Sequence, residues 1–131
     1  MISNAHVTPV LPVVDISRAT GFYRDRLGLK DAGDGPGGNH LLQTGSGSLI
    51  ALMAAEEGAQ SAHTVLTLEV EDLDNEVKDL EGRGVGFYDY DLPNIKTTDH
   101  IADMGTEKVA WFADTEGNIL CLFEVIGDMS S

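Results

Sequence analysis

The chain has 131 residues, 42% of them hydrophobic, and a formal net charge of −14. That length is one domain's worth of chain with room for a core. The charge opposes binding to nucleic-acid phosphates or anionic membrane surfaces and favours cationic small molecules. No apolar run approaches the ~20 residues of a membrane span. Cys121 is the only cysteine, so no disulfide forms within the chain, which fits a reducing compartment. Met1–His6 lacks a basic region followed by an apolar one, so no signal peptide is evident and a cytoplasmic location is expected.

In chain order, Val7 to Val14 is β-rich but carries Pro9 and Pro12, which places the strand at an edge or on a bulge. Asp15 or Ser17 then caps a helix. Ile16, Ala19, Phe22, Tyr23 and Leu27 recur at helical spacing, and Gly28 stops it. The glycine-rich Gly33–Gly38 segment has no phosphate-binding Lys-Ser/Thr after it and reads as a hairpin-type connection. Asn39–Thr44 and Ser48–Met53 read as strands joined by Gly45-Ser46-Gly47.

A small, polar linker over 55–62 separates this half from a second start of the same pattern. Thr64–Val70 is a β-branched strand. Asp72 or Asp74 caps a helix whose apolar stripe is Leu73, Val77 and Leu80, ending at Gly82-Arg83-Gly84. Val85–Tyr90 reads as a strand, Asp91–Thr106 as a long connection and Lys108–Ala113 as a strand. Glu116-Gly117-Asn118 is then a tight turn into the buried run Ile119–Phe123. Gly127–Ser131 reads as a frayed tail.

The halves repeat. His6 and Asp15 recur 57 residues on as His63 and Asp72, and Gly47–Leu52 matches Gly117–Leu122 at an offset of 70. The chain therefore divides into two βαβββ modules, about 5–54 and 63–126, neither large enough to bury its sheet alone. The expected fold class is α+β: one curved mixed sheet around a cavity, with the helices outside.

The two-residue period of strands sorts the faces. Leu11 and Val13, then Leu66, Leu68 and Val70, then Leu120 and Leu122 suit packing under helices. The opposite parity is mixed: Thr8 and Val10; Ala51 and Met53; Val65, Thr67 and Glu69; Cys121 and Phe123. A mainly apolar wall with few polar groups suits a ligand pocket. Phe87, Tyr88, Tyr90 and Trp111 gather half of the chain's Phe, Tyr and Trp around the long connection, which reads as a cover over that cavity. Asp99 and His100 on it are candidate acid or base groups. Cys121, flanked by Leu120 and Leu122, reads as core rather than nucleophile.

Asp15-Ile16-Ser17-Arg18-Ala19-Thr20-Gly21-Phe22-Tyr23 through Leu27-Gly28-Leu29 resembles the first-helix signature of the vicinal oxygen chelate superfamily. That superfamily includes glyoxalase I, bleomycin and fosfomycin resistance proteins, extradiol dioxygenases and methylmalonyl-CoA epimerase. Asp114-Thr115-Glu116-Gly117-Asn118 is similar to its last turn, with Thr115 where Pro is usual, and Val70–Asp74 resembles its second-helix start. The likeness covers about residues 5–125 and implies the glyoxalase/bleomycin-resistance fold and homodimers.

In the metal enzymes of that family, His on the first strand and Glu on the last strand of each module hold a divalent cation. The resemblance puts those positions at Thr8, Ala51, Val65 and Cys121. One thiol among four is not a metal site. The expectation is a small-molecule binding protein without a metal cofactor, for a planar cationic aromatic ligand of drug-like or antibiotic type. Its expected binding residues are Thr8, Met53, Val65, Thr67, Glu69, Tyr88, Tyr90, Trp111, Cys121 and Phe123. The alternative is a metal-dependent lyase, isomerase or dioxygenase holding a divalent cation through a displaced set of His6, His63 and Glu69 or Glu124.

Overall fold

The structure, a computed structural model, describes residues 1–127. The chain forms two compact units, Met1–Gln60 and the segment from Ser61 onward.

The first unit contains β1 (Val10–Val13), α1 (Ile16–Gly21), β2 (Lys30–Asp34), β3 (His40–Gln43) and β4 (Leu49–Ala54). Its sheet has the order β1-β4-β3-β2, with β1 parallel to β4 and the other pairs antiparallel. Pro9 and Pro12 hold β1 to the sheet edge, and regular pairing covers less of Val7–Val14 than its β-branched content suggests. Asp15 is the cap: its carboxylate accepts the Arg18 N–H at 3.0 Å. The helix widens into a π-helical turn over Phe22–Arg26 before Gly28, at φ 77°, ends it. Leu11, Val13, Ala19, Tyr23, Leu42 and Leu52 are fully buried, so this helix and one sheet face make the core. Strand β2 is the element composition hides. Lys-Asp-Ala-Gly-Asp is exposed throughout, and a bulge between Asp31 and Gly33 interrupts its pairing with β3.

The second unit repeats the plan with β5 (Thr64–Glu69), α2 (Leu73–Gly82), β6 (Ala102–Asp103), β7 (Glu107–Ala113) and β8 (Ile119–Val125). The order is β5-β8-β7-β6, again with one parallel pair, β5 with β8. The fold class is thus α+β, two βαβββ modules each with a mixed four-stranded sheet. Asp72 caps α2 through the Asn75 N–H at 3.2 Å. Leu73, Val77 and Leu80 bury against the face carrying Leu120, Leu122, Ala110 and Phe112.

Two expectations are corrected here. The strand anticipated at Val85–Tyr90 does not form. Phe87 makes an isolated bridge to Phe112, and the Tyr88 N–H donates to Trp111 O at 2.9 Å. The chain then leaves the edge of β7 and returns as β6, so an excursion over 89–101 splits the edge strand in two. Near the C-terminus, Gly127 is tied down, its N–H donating to Thr106 O at 3.0 Å. The rest of the expected frayed tail lies outside the described residues.

Candidate functional site

The last turn sets up the second sheet. The Asp114 carboxylate accepts the N–H groups of Glu116 (2.8 Å) and Asn118 (2.9 Å) and the Asn118 side-chain amide (3.0 Å). Gly117 supplies the positive φ of 90° that lets the chain close there. This turn fixes where β8 begins and so which of its residues look each way.

Cross-strand partners share a face. On the face of β8 turned away from α2, Thr67, Cys121 and Trp111 form one row, and Glu69, Phe123, Val109 and Ala102 the next. Ala102, Val109 and Cys121 are buried, with Ile95, Trp111 and Phe123 packed on them. Tyr90 meets Trp111 edge-on at 5.1 Å and lies 6.3 Å from Tyr88, which is 40% exposed. The structure thus brings Thr67, Glu69, Tyr90, Trp111, Cys121 and Phe123 together around one aromatic-lined face, with Tyr88 at its margin.

The remaining expected residues lie elsewhere. Val65 falls at a bulge between Thr64 and Leu66, so the simple alternation that aligned it with Thr67 fails there. In the first unit, Thr8 is exposed ahead of β1, beside a pocket of about 310 Å³ that also involves His6, Ser46 and Ser48. Met53, 42% exposed, and Val10 share the face of that unit's sheet on the Ala51 side.

The positions to which the family's metal ligands map do not fit a divalent cation. They offer an exposed hydroxyl, a buried methyl, an isopropyl group at a bulge and one buried thiol. Burial, with the Glu107 carboxylate adding to it, pushes the Cys121 thiol up to about 11. Glu124 belongs to the opposite face of β8. Its carboxylate accepts the Leu73 N–H at 2.8 Å and lies 3.9 Å from Lys108 Nζ, so the alternative set of His6, His63 and Glu124 loses its carboxylate to α2. His63 is exposed, its N–H donating to Ser61 Oγ. Among the described residues, no three His, Cys, Asp or Glu side chains gather as a metal-holding group.

Sequence reasoning missed the hub at Asp89. Its Oδ1 accepts from Thr97 Oγ1 (3.0 Å) and the His100 N–H (3.1 Å), and Oδ2 lies 2.9 Å from His100 Nδ1. The other imidazole nitrogen lies 3.6 Å from Glu81 Oε2 on α2, and the ring stacks on Phe87 at 6.1 Å. Asp99 and His100 form a two-residue hairpin loop with φ 52° and 75°, closed by Thr98 and Ile101. Both are non-glycine, although such loops favour Asn-Gly or Asp-Gly.

A family profile described as "Glyoxalase/Bleomycin resistance protein/Dioxygenase superfamily" matches residues 4–122. The chain belongs to that superfamily. Solved structures share the fold. A superfamily member from Sphaerobacter thermophilus DSM 20745 aligns with TM-score 0.72 and 22% identity over 95% of this chain and 99% of its own. One from Alicyclobacillus acidocaldarius aligns with TM-score 0.69 and 21% identity over 95% and 94%. TnmS3, an antibiotic binding protein from Streptomyces sp. CB03234, aligns with TM-score 0.65 and 23% identity over 96% and 100%. Among curated proteins, no sequence matches significantly. No helix among the described residues is long and apolar enough to cross a membrane.

Proposed function

We propose that the chain is a small-molecule binding protein that works without a metal, and that its ligand is a planar, cationic aromatic compound. The observation that carries this reading is the face of β5, β7 and β8. Phe123 and Trp111 supply flat apolar surface, and Glu69 pairs across from Phe123. Glu107 lies on the same face by its strand parity. Aromatic rings and nearby carboxylates together favour a delocalised cation through stacking and charge attraction. The family's metal positions hold a single buried thiol, Cys121, among side chains that do not bind a cation, which supports binding over metal-assisted chemistry. The antibiotic binding described for TnmS3 shows one use of the same fold.

The test joins elemental analysis with titration. Purified protein, incubated with Zn, Mn, Ni or Fe(II) and desalted, is expected to retain no stoichiometric metal. Planar cationic aromatics are expected to raise its melting temperature and to change Trp111 fluorescence saturably. One metal held per chain, or a screen in which neutral and anionic aromatics bind as well as cationic ones, overturns the proposal.

A further inference from the structure

We infer that His100 is a protonation-controlled latch on the excursion that covers the aromatic face. The excursion has two working ends. At one, Ile95 packs onto Ala102, Val109 and Cys121, and Tyr90 lies against Trp111. At the other, the His100 ring sits between the carboxylates of Asp89 and Glu81, with Nδ1 2.9 Å from Asp89 Oδ2 and Nε2 3.6 Å from Glu81 Oε2.

A neutral imidazole brings no charge to hold those carboxylates. The imidazolium carries a positive charge that both attract at these distances. Other charged groups around the ring point the same way. Asp74 and Glu81 of α2 and Asp99 of the loop line the adjoining pocket of about 450 Å³, where Lys78 is the one opposing cation. Asp74 is itself engaged by Lys108 at 2.7 Å.

The latch also holds a backbone that resists its own geometry. Consecutive left-handed φ values at Asp99 and His100 are unfavourable for side-chain-bearing residues, although Asp and His are among those that tolerate them. The Asp89 carboxylate restrains the loop through Thr97 and the His100 N–H in either protonation state. Protonation adds the tie to α2. With the ring protonated the cover is therefore held to the helix at one end and to the aromatic face at the other. With the ring neutral the helix tie weakens, and Trp111 becomes easier to reach. The consequence for ligand entry rests on the function proposed above, whereas the latch itself does not.

The test therefore needs no ligand. Trp111 is the only tryptophan, so acrylamide quenching of the intact protein reads the cover directly. The quenching constant is expected to rise by about twofold between pH 5 and 8 along a single-proton curve. His100→Asn, which keeps a residue tolerant of the left-handed loop, is expected to abolish the transition. Glu81→Gln is expected to reduce its amplitude with the fold intact. His40→Asn, in the first unit, serves as the control because His40 also lies between two carboxylates, Asp31 at 2.8 Å and Asp34 at 3.3 Å; its curve is expected to match the parent. A pH-independent parent, a transition that survives His100→Asn, or one lost in His40→Asn overturns the latch. Failure to bind any planar cation leaves these curves unchanged and overturns only the proposed function.

Discussion

The Glu124 carboxylate on β8 accepts the Leu73 N–H at the start of α2, 2.8 Å away and 51 residues apart in sequence. A strand residue thus supplies one of the acceptors that the first turn of a helix lacks. Lys108 reinforces the junction from β7 by donating to Asp74 at 2.7 Å. Glu124→Ala is expected to destabilise the fold by about 1–2 kcal/mol, in the range of a lost helix cap. Urea melts check this. An unchanged midpoint would mean that water replaces the carboxylate without loss.

Asp114 carries a larger share of the second sheet. Its carboxylate takes three hydrogen bonds in a turn where Asn118 is fully buried. Asp114→Ala strands those donors away from water and is expected to lower stability by about 2–4 kcal/mol. Thr115→Pro, which restores the residue usual in the resembled motif, tests the neighbouring exposed position. A smaller effect than that of Asp114→Ala is expected.

Cys121 makes stability fall at alkaline pH. Its folded thiol is held up to about 11, chiefly by burial. An exposed thiol titrates at about 8.5. The unfolded chain therefore releases this proton first, and the stability owed to the neutral buried thiol is complete below that lower value and lost as pH climbs toward 11. Tyr90, also raised by burial and then by Tyr88, acts with the same sign at higher pH. Thermal melts from pH 8 to 11 should show a shallower decline for Cys121→Ala than for the parent. Alkylation of Cys121 at pH 7 should be slow until denaturant is added.

Substitution of the aromatic face separates its two contributions. With any planar cation that saturates the protein, Trp111→Ala should weaken binding by about 30-fold or more, as expected for a buried aromatic anchor. Glu69→Gln should weaken it by about two- to fivefold, an effect that shrinks as salt is added. Equal losses in both variants would place the recognition elsewhere.

Much of the architecture was legible in the chain because local chemistry and tertiary packing agree there. Ile119–Phe123 is a strand bounded by a turn-forming Glu-Gly-Asn, and Asp15 and Asp72 cap helices whose apolar stripes are buried. The misses have physical causes. Strand β2 has no apolar residue larger than Ala32, so it gives no burial signal. Val85–Tyr90 carries β-forming residues, yet after Phe87 the chain departs to build the excursion. The bulge at Val65 is decided by pairing with β8. For the site, Thr67, Glu69, Cys121 and Phe123 followed from alternation. The partners of His100 did not, because Asp89 and Glu81 meet it only through the path of the excursion.

Strand β2, charged and bulged, and β6, only two residues long, each occupy an outer edge of their sheet. Neither presents the long, flat row of unpaired amides on which a foreign strand can template. A protein whose apolar aromatic face is only partly buried runs a risk of self-association in concentrated solution. Here the backbone closes off the ordered, fibril-forming route at both of these edges, leaving side-chain contact as the means by which they can meet another molecule.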